Sequence, residues 1–115
     1  MDSTPKFLQG IFSFKGTGLD EPVPLDADLV YEVPADKRAQ LIYFRAGNSG
    51  SELICLSLRR DGMLMRYFPV GAKADAHVSL AVVEDLPPDT KLDVLVAAPK
   101  GAAGVVVLDI GLIEI

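Results

Sequence analysis

His77 and Cys55 are the only histidine and the only cysteine in the chain, so acid–base or nucleophilic chemistry would have to be built around them. An imidazole titrates near neutral pH and shuttles protons when a carboxylate orients it. Asp75 stands two positions earlier, on the same side of an extended segment, and Glu84 and Asp85 lie further on. One histidine and one cysteine are too few for a transition-metal site. His77 therefore reads as a surface or interface residue able to make a pH-sensitive contact. Cys55 would need a base and a positive setting to act as a nucleophile. The expected strand register puts Phe68 between it and His77, so Cys55 reads as an inert thiol.

The second constellation is Arg45, Arg59 and Arg66, expected on one sheet face with Ser57 and Ser79 beside Arg66. Converging guanidinium groups bind carboxylates, phosphates or sulfates through paired hydrogen bonds. The competing reading pairs each arginine with an acid from residues 20–28 or from another subunit. A sugar would want exposed rings. The chain has no tryptophan, and Tyr43 and Phe68 are the rings left once the core takes the others. The loop acids lack the spacing of a calcium loop, and no glycine cluster opens a helix to cradle phosphate. No catalytic set, metal or cofactor is expected, and the chain reads as non-enzymatic.

Four apolar runs carry these residues: 40–46, 52–60, 63–70 and 76–83. Turn formers separate them, and Asp61-Gly62 between two strand-like runs favours a type I′ hairpin. A two-residue loop sets Arg60 opposite Met63, and counting back puts Leu56 opposite Tyr67 and Cys55 opposite Phe68. Treated as one meander, the stretch also places Tyr43 beside Cys55 and Phe68 beside His77. Side-chain alternation then gives two faces. The core face holds Phe44, Ile54, Leu56, Leu58, Met63, Tyr67, Leu80 and Val82. The other holds Leu41, Tyr43, Arg45, Cys55, Arg59, Leu64, Arg66, Phe68, His77 and Ala81, which is too apolar for open solvent on a half-exposed sheet.

Before the meander, residues 6–15 read as a first strand after a loose lead-in. Residues 16–28 form a Gly/Pro-rich acidic loop, and 28–33 a short strand pointing Leu29, Tyr31 and Val33 inward. After it, Pro87-Pro88 breaks the chain. Residues 91–97 send Leu92, Val94 and Val96 inward, and 105–115 form a last strand interrupted on its outer side by Asp109 and Gly111. No helical period is sustained anywhere.

At 115 residues the chain bounds one domain, residues 1–115. Short strands with turns at regular intervals define an all-β, single-domain antiparallel β-sandwich, Ig-like or jelly-roll-like, of about 7–9 strands. A closed barrel is the alternative. Net charge is −5, which disfavours nucleic acid. Residues 37–73 hold seven basic and two acidic side chains, and the remainder four and fourteen. No basic-then-apolar leader and no apolar run of membrane-spanning length is present, and the single cysteine favours a reducing, cytoplasmic setting. The expected role is assembly: a homo-oligomer joined through Tyr43, Cys55, Leu64, Arg66, Phe68 and His77, or through the apolar back of the last strand. The N-terminal strand folding over that face within one chain would remove the interface. The second reading is a module binding an anionic or sugar-like ligand at Arg45, Arg59 and Arg66.

Overall fold

Alternating apolar and polar residues sort the described part of the chain into nine antiparallel strands. The computed structural model describes residues 3–115, with 81–84 described by backbone alone. The strands are β1 (Thr4–Lys15), β2 (Val23–Pro24), β3 (Val30–Glu32), β4 (Ala39–Asn48), β5 (Ile54–Arg60), β6 (Met63–Val70), β7 (Asp75–Leu86), β8 (Lys91–Ala97) and β9 (Ala103–Glu114). One sheet, A, has the order β1-β9-β4-β7; the other, B, has the order β2-β8-β5-β6, with β3 also on β8. Most successive strands change sheet, which is the jelly-roll form of a β-sandwich. The molecule measures 47 × 24 × 22 Å.

The inward rows of the late strands match their alternation. Leu92, Val94 and Val96 of β8 and Val106, Leu108, Ile110 and Leu112 of β9 are all buried. Leu29 and Val33 flank β3 and are buried too, with Tyr31 packed against the core between them.

The 40–83 stretch is not one meander. β4 and β7 lie in sheet A, while β5 and β6 lie in sheet B. The reason is loop reach. Packed sheets stand about 10 Å apart, and each extended residue spans about 3.3 Å. The connections 49–53 and 71–74 are long enough to cross that gap, whereas Asp61-Gly62 can only turn back on itself. That turn has positive φ at both residues, 49° and 81°, as type I′ requires. The expected neighbours Tyr43/Cys55 and Phe68/His77 are therefore in different sheets.

Two bulges complete the correction. In β6 the pairing steps from Arg59↔Leu64 to Leu58↔Arg66, leaving Met65 without a partner. An extra residue reverses every side chain beyond it. Leu56 consequently pairs with Phe68, which is buried, while Tyr67 is 66% exposed; Met63 lies before the bulge, keeps its pairing with Arg60, and is 75% exposed at the hairpin end. In β4 the pairing with β9 steps from Leu41↔Leu112 to Tyr43↔Gly111, so Leu41 and Phe44 both point inward. The expectations for Val82 and Ala81 lie outside the described side chains.

One polar contact closes the end of the core. The Tyr31 hydroxyl donates to Glu114 Oε2 at 2.5 Å, and Glu114 is buried. Burial first, and then the neighbouring carboxylate, hold the Tyr31 phenol above its usual range. A raised folded pKa stabilises the fold fully below the unfolded value, about 10 for tyrosine, and that contribution is lost as pH rises further. The melting temperature should fall as pH rises above about 10, and Tyr31→Phe should flatten that fall. An unchanged slope in the variant would remove Tyr31 as its source.

Candidate functional site

The outward row of sheet A collects polar side chains from three strands. Register places Asp109 of β9, Arg45 of β4 and His77 of β7 side by side. The next row outward from the sheet centre runs Ile11, Val107, Gly47 and Asp75. On the other side lie Phe7, Gly111, Tyr43 and Ser79.

Gly47 determines the relief of this surface. A Cβ built there meets nothing within 4 Å, so the strand backbone is the floor of a depression. Arg45, Asp75, His77, Val107 and Asp109 stand around it and enclose about 390 Å³, at the small end of ligand-sized hollows. It continues along β4 past Ser49, Lys73 and Val105.

Gly111 serves a different purpose. The Tyr43 ring lies across it, so close that a Cβ would fall 2.1 Å from Cε2. In that position the Tyr43 hydroxyl donates to Asp109 Oδ1 at 3.0 Å. Its phenol is pushed up first by burial and then by this carboxylate. His77 meets the same ring edge-on, with centroids 6.2 Å apart. Among the described residues no ion pair engages Arg45, although Asp109 is its direct cross-strand neighbour. No hydrogen bond links Asp75 to His77 among them either, and Asp85, weighed as a partner for His77, is paired with Arg38. That pair is exposed, and the Arg38 guanidinium holds the Asp85 carboxyl below its ordinary range.

The eight residues singled out in the sequence thus divide. Tyr43, Arg45 and His77 come together on sheet A. Cys55, Arg59, Leu64, Arg66 and Phe68 belong to sheet B. Phe68 is a core residue, stacked on Phe44 with ring centroids 3.9 Å apart. Arg66 sits 5.8 Å from the Phe68 ring centre. Arg59 donates from Nε to Asp93 Oδ1 at 3.0 Å and from Nη2 to Oδ2 at 2.5 Å, a forked pair across β5 and β8. The three arginines therefore form no cluster. Cys55 is half-buried, and burial pushes its thiol up, away from thiolate reactivity. Sequence reasoning missed Asp109, Asp75's place beside Gly47, and Val107. A lone acid within an apolar last strand was the available signal for Asp109, but its neighbours follow only from the strand order.

No family model matches the chain, and no curated protein does. Among solved structures, a chain in the structure of the infectious bursal disease virus Gt strain superposes with a TM-score of 0.51 at 12% identity, over 97% of this chain and 32% of that one. A chain of the Gx strain gives 0.46 at 11% identity, over 98% and 36%. The insecticidal delta-endotoxin Cry8Ea1 from Bacillus thuringiensis gives 0.48 at 10% identity, over 88% and 18%. This chain spans about a third of the viral chains and less of the toxin. The likeness to the Gt-strain chain is one of fold, an all-β sandwich. No helix among the described residues is long and apolar enough to cross a membrane.

Proposed function

We propose that the protein is a non-enzymatic assembly module that pairs with a second copy of itself along β1. The supporting observation is a difference among the four sheet edges. A free edge presents unpaired backbone donors and acceptors, and proteins blunt such edges with short strands, charges, proline or bulges. β2 and β3 are two and three residues long. β6 carries a bulge and Pro69, and β7 carries an irregular pairing together with Asp75, His77 and Asp85. β1 has none of these protections over its middle. It is twelve residues long, pairs with β9 without a register break, and holds no charge from Phe7 to Phe14.

β1 is also apolar on both sides. Ile11 is 73% and Phe7 52% exposed on the outer face, next to Val107 at 55%. On the inner side Leu8 and Phe12 are only partly buried, because the facing edge of sheet B is so short. A second copy fits this strand better than a charged partner would. About a two-fold axis perpendicular to the sheet and centred near Gly10, Lys6 and Lys15 each face uncharged residues of the other copy, so no like charges meet. The interface differs from the one expected at Tyr43, Cys55, Leu64 and Phe68, which the topology divides between two sheets. A cytoplasmic setting, in which Cys55 stays a thiol, is part of the same proposal.

Sedimentation velocity over a wide concentration range tests it. The expected result is a species of two chain masses that Ile11→Lys returns to one, since a lysine on an open edge strand opposes pairing. Ile11 contributes little to the monomer's core, so the variant should stay folded. A wild-type monomer at every concentration would end the assembly reading.

A further inference from the structure

The depression over Gly47 has a chemical character that edge pairing does not use. Asp109, Arg45 and His77 follow one another across the strands and Asp75 lies two residues from His77 on β7, so the two acceptors stand at opposite corners of the rim with the two donors between them. One Asp109 oxygen is taken by Tyr43, and the other has no hydrogen-bond partner among the described residues. Val107 and the bare backbone at Gly47 add an apolar floor. An anion would meet two carboxylates against one guanidinium, and a cation would meet Arg45 at the rim and Lys73 further along. A neutral, polyhydroxylated ring avoids both penalties. Its hydroxyls donate to carboxylates and accept from guanidinium and imidazole, while its C–H face lies on an apolar floor.

From this arrangement we infer that the outer face of sheet A over Gly47 is a binding site for a neutral sugar ring. Asp75 and Asp109 accept from hydroxyls, Arg45 and His77 donate to them, and Val107 packs against the ring. The site needs no contact with β1 and stands whether or not the chain self-associates. Because the hollow is open and shallow, the affinity for one ring is weak and a longer saccharide gains by extending toward Ser49 and Lys73.

Two-dimensional amide NMR with glucose, galactose, mannose, N-acetylglucosamine and maltoheptaose tests this directly. The expected result is saturable shifts at Arg45, Gly47, His77 and Asp109 with at least one of these sugars. Gly47→Leu fills the hollow from a Cβ position with nothing within 4 Å and suits a strand, and should weaken binding by about tenfold or more without lowering the melting temperature. Asp109→Asn, which keeps the shape and removes the charge, should weaken it by a smaller factor. No saturable shift with any of the five sugars would overturn the assignment. So would undiminished binding to Gly47→Leu, or shifts at these amides with glycine or inorganic phosphate alone.

Discussion

Phe44→Ala is expected to destabilise the fold by about 3–5 kcal/mol, the usual range for emptying a buried aromatic position. Phe44 is fully buried in β4, and its ring lies flat on Phe68 of β6, tilted by only 5°. The two rings belong to opposite sheets, so the stack is a direct tie across the sandwich. Removing one ring loses its transfer energy and leaves the other facing a void that rigid strands cannot close. A domain of this size is commonly stable by about 5–15 kcal/mol, so the loss is a large share of the total. Urea unfolding should show a lower midpoint with an unchanged slope. Phe7→Ala, on the exposed face of β1, provides the contrast and should stay within about 0.5 kcal/mol of wild type in the monomer. A Phe44→Ala loss below about 1 kcal/mol would mean that the stack is not a tie between the sheets.

The Phe44–Phe68 contact also marks the limit of what the sequence carried. Strand positions, the type I′ turn at Asp61-Gly62 and the inward rows of β8 and β9 follow from alternation and turn chemistry, which act over a few residues. Sheet membership does not. A five-residue link serves a hairpin or a crossing between sheets equally well, and alternation inside a strand is the same in either sheet. Bulges are harder still. Nothing in Met63–Val70 marks Met65 as the residue to be skipped, yet that one step exchanges Tyr67 for Phe68 in the core. The candidate site inherited both difficulties. His77, Arg45 and Tyr43 were separately visible as polar or aromatic residues on an outward row, and they meet because β4 and β7 pair. Arg59 and Arg66 share a face with Arg45 only if β4, β5 and β6 lie in one sheet, and they do not. Asp109 joins from the far end of the chain, through the β4–β9 pairing that no local pattern announces.

Asn48 is where those crossings are decided, and its replacement should be nearly as damaging as the loss of Phe44. It ends β4 and is buried. Its amide nitrogen donates to Glu52 O at 2.9 Å and to Gly71 O at 3.1 Å, with Val70 O more distant at 3.5 Å, and its Oδ1 accepts from Gly50 N at 2.9 Å. One side chain thereby holds the link 49–53 and the link 71–74, the two places where the chain leaves one sheet for the other. Asn48→Ala leaves the Gly50 N–H and the Glu52 carbonyl without this partner and the Gly71 carbonyl with Ala74 N alone. With each buried orphan costing on the order of 1–3 kcal/mol and some regaining water, a loss of about 3 kcal/mol is expected. Asn48→Asp separates shape from chemistry. The carboxylate occupies the same volume but only accepts, so at neutral pH it faces carbonyl oxygens with a buried charge. Burial and those oxygens would raise its folded pKa above the unfolded value of about 3.9, so its stability deficit should grow as pH rises from about 4 to 7. Protonation at low pH restores one donor and with it part of the clamp. A negligible deficit for Asn48→Asp at both ends of that range would show that the side chain's volume, and not its hydrogen bonds, holds the two crossings in place.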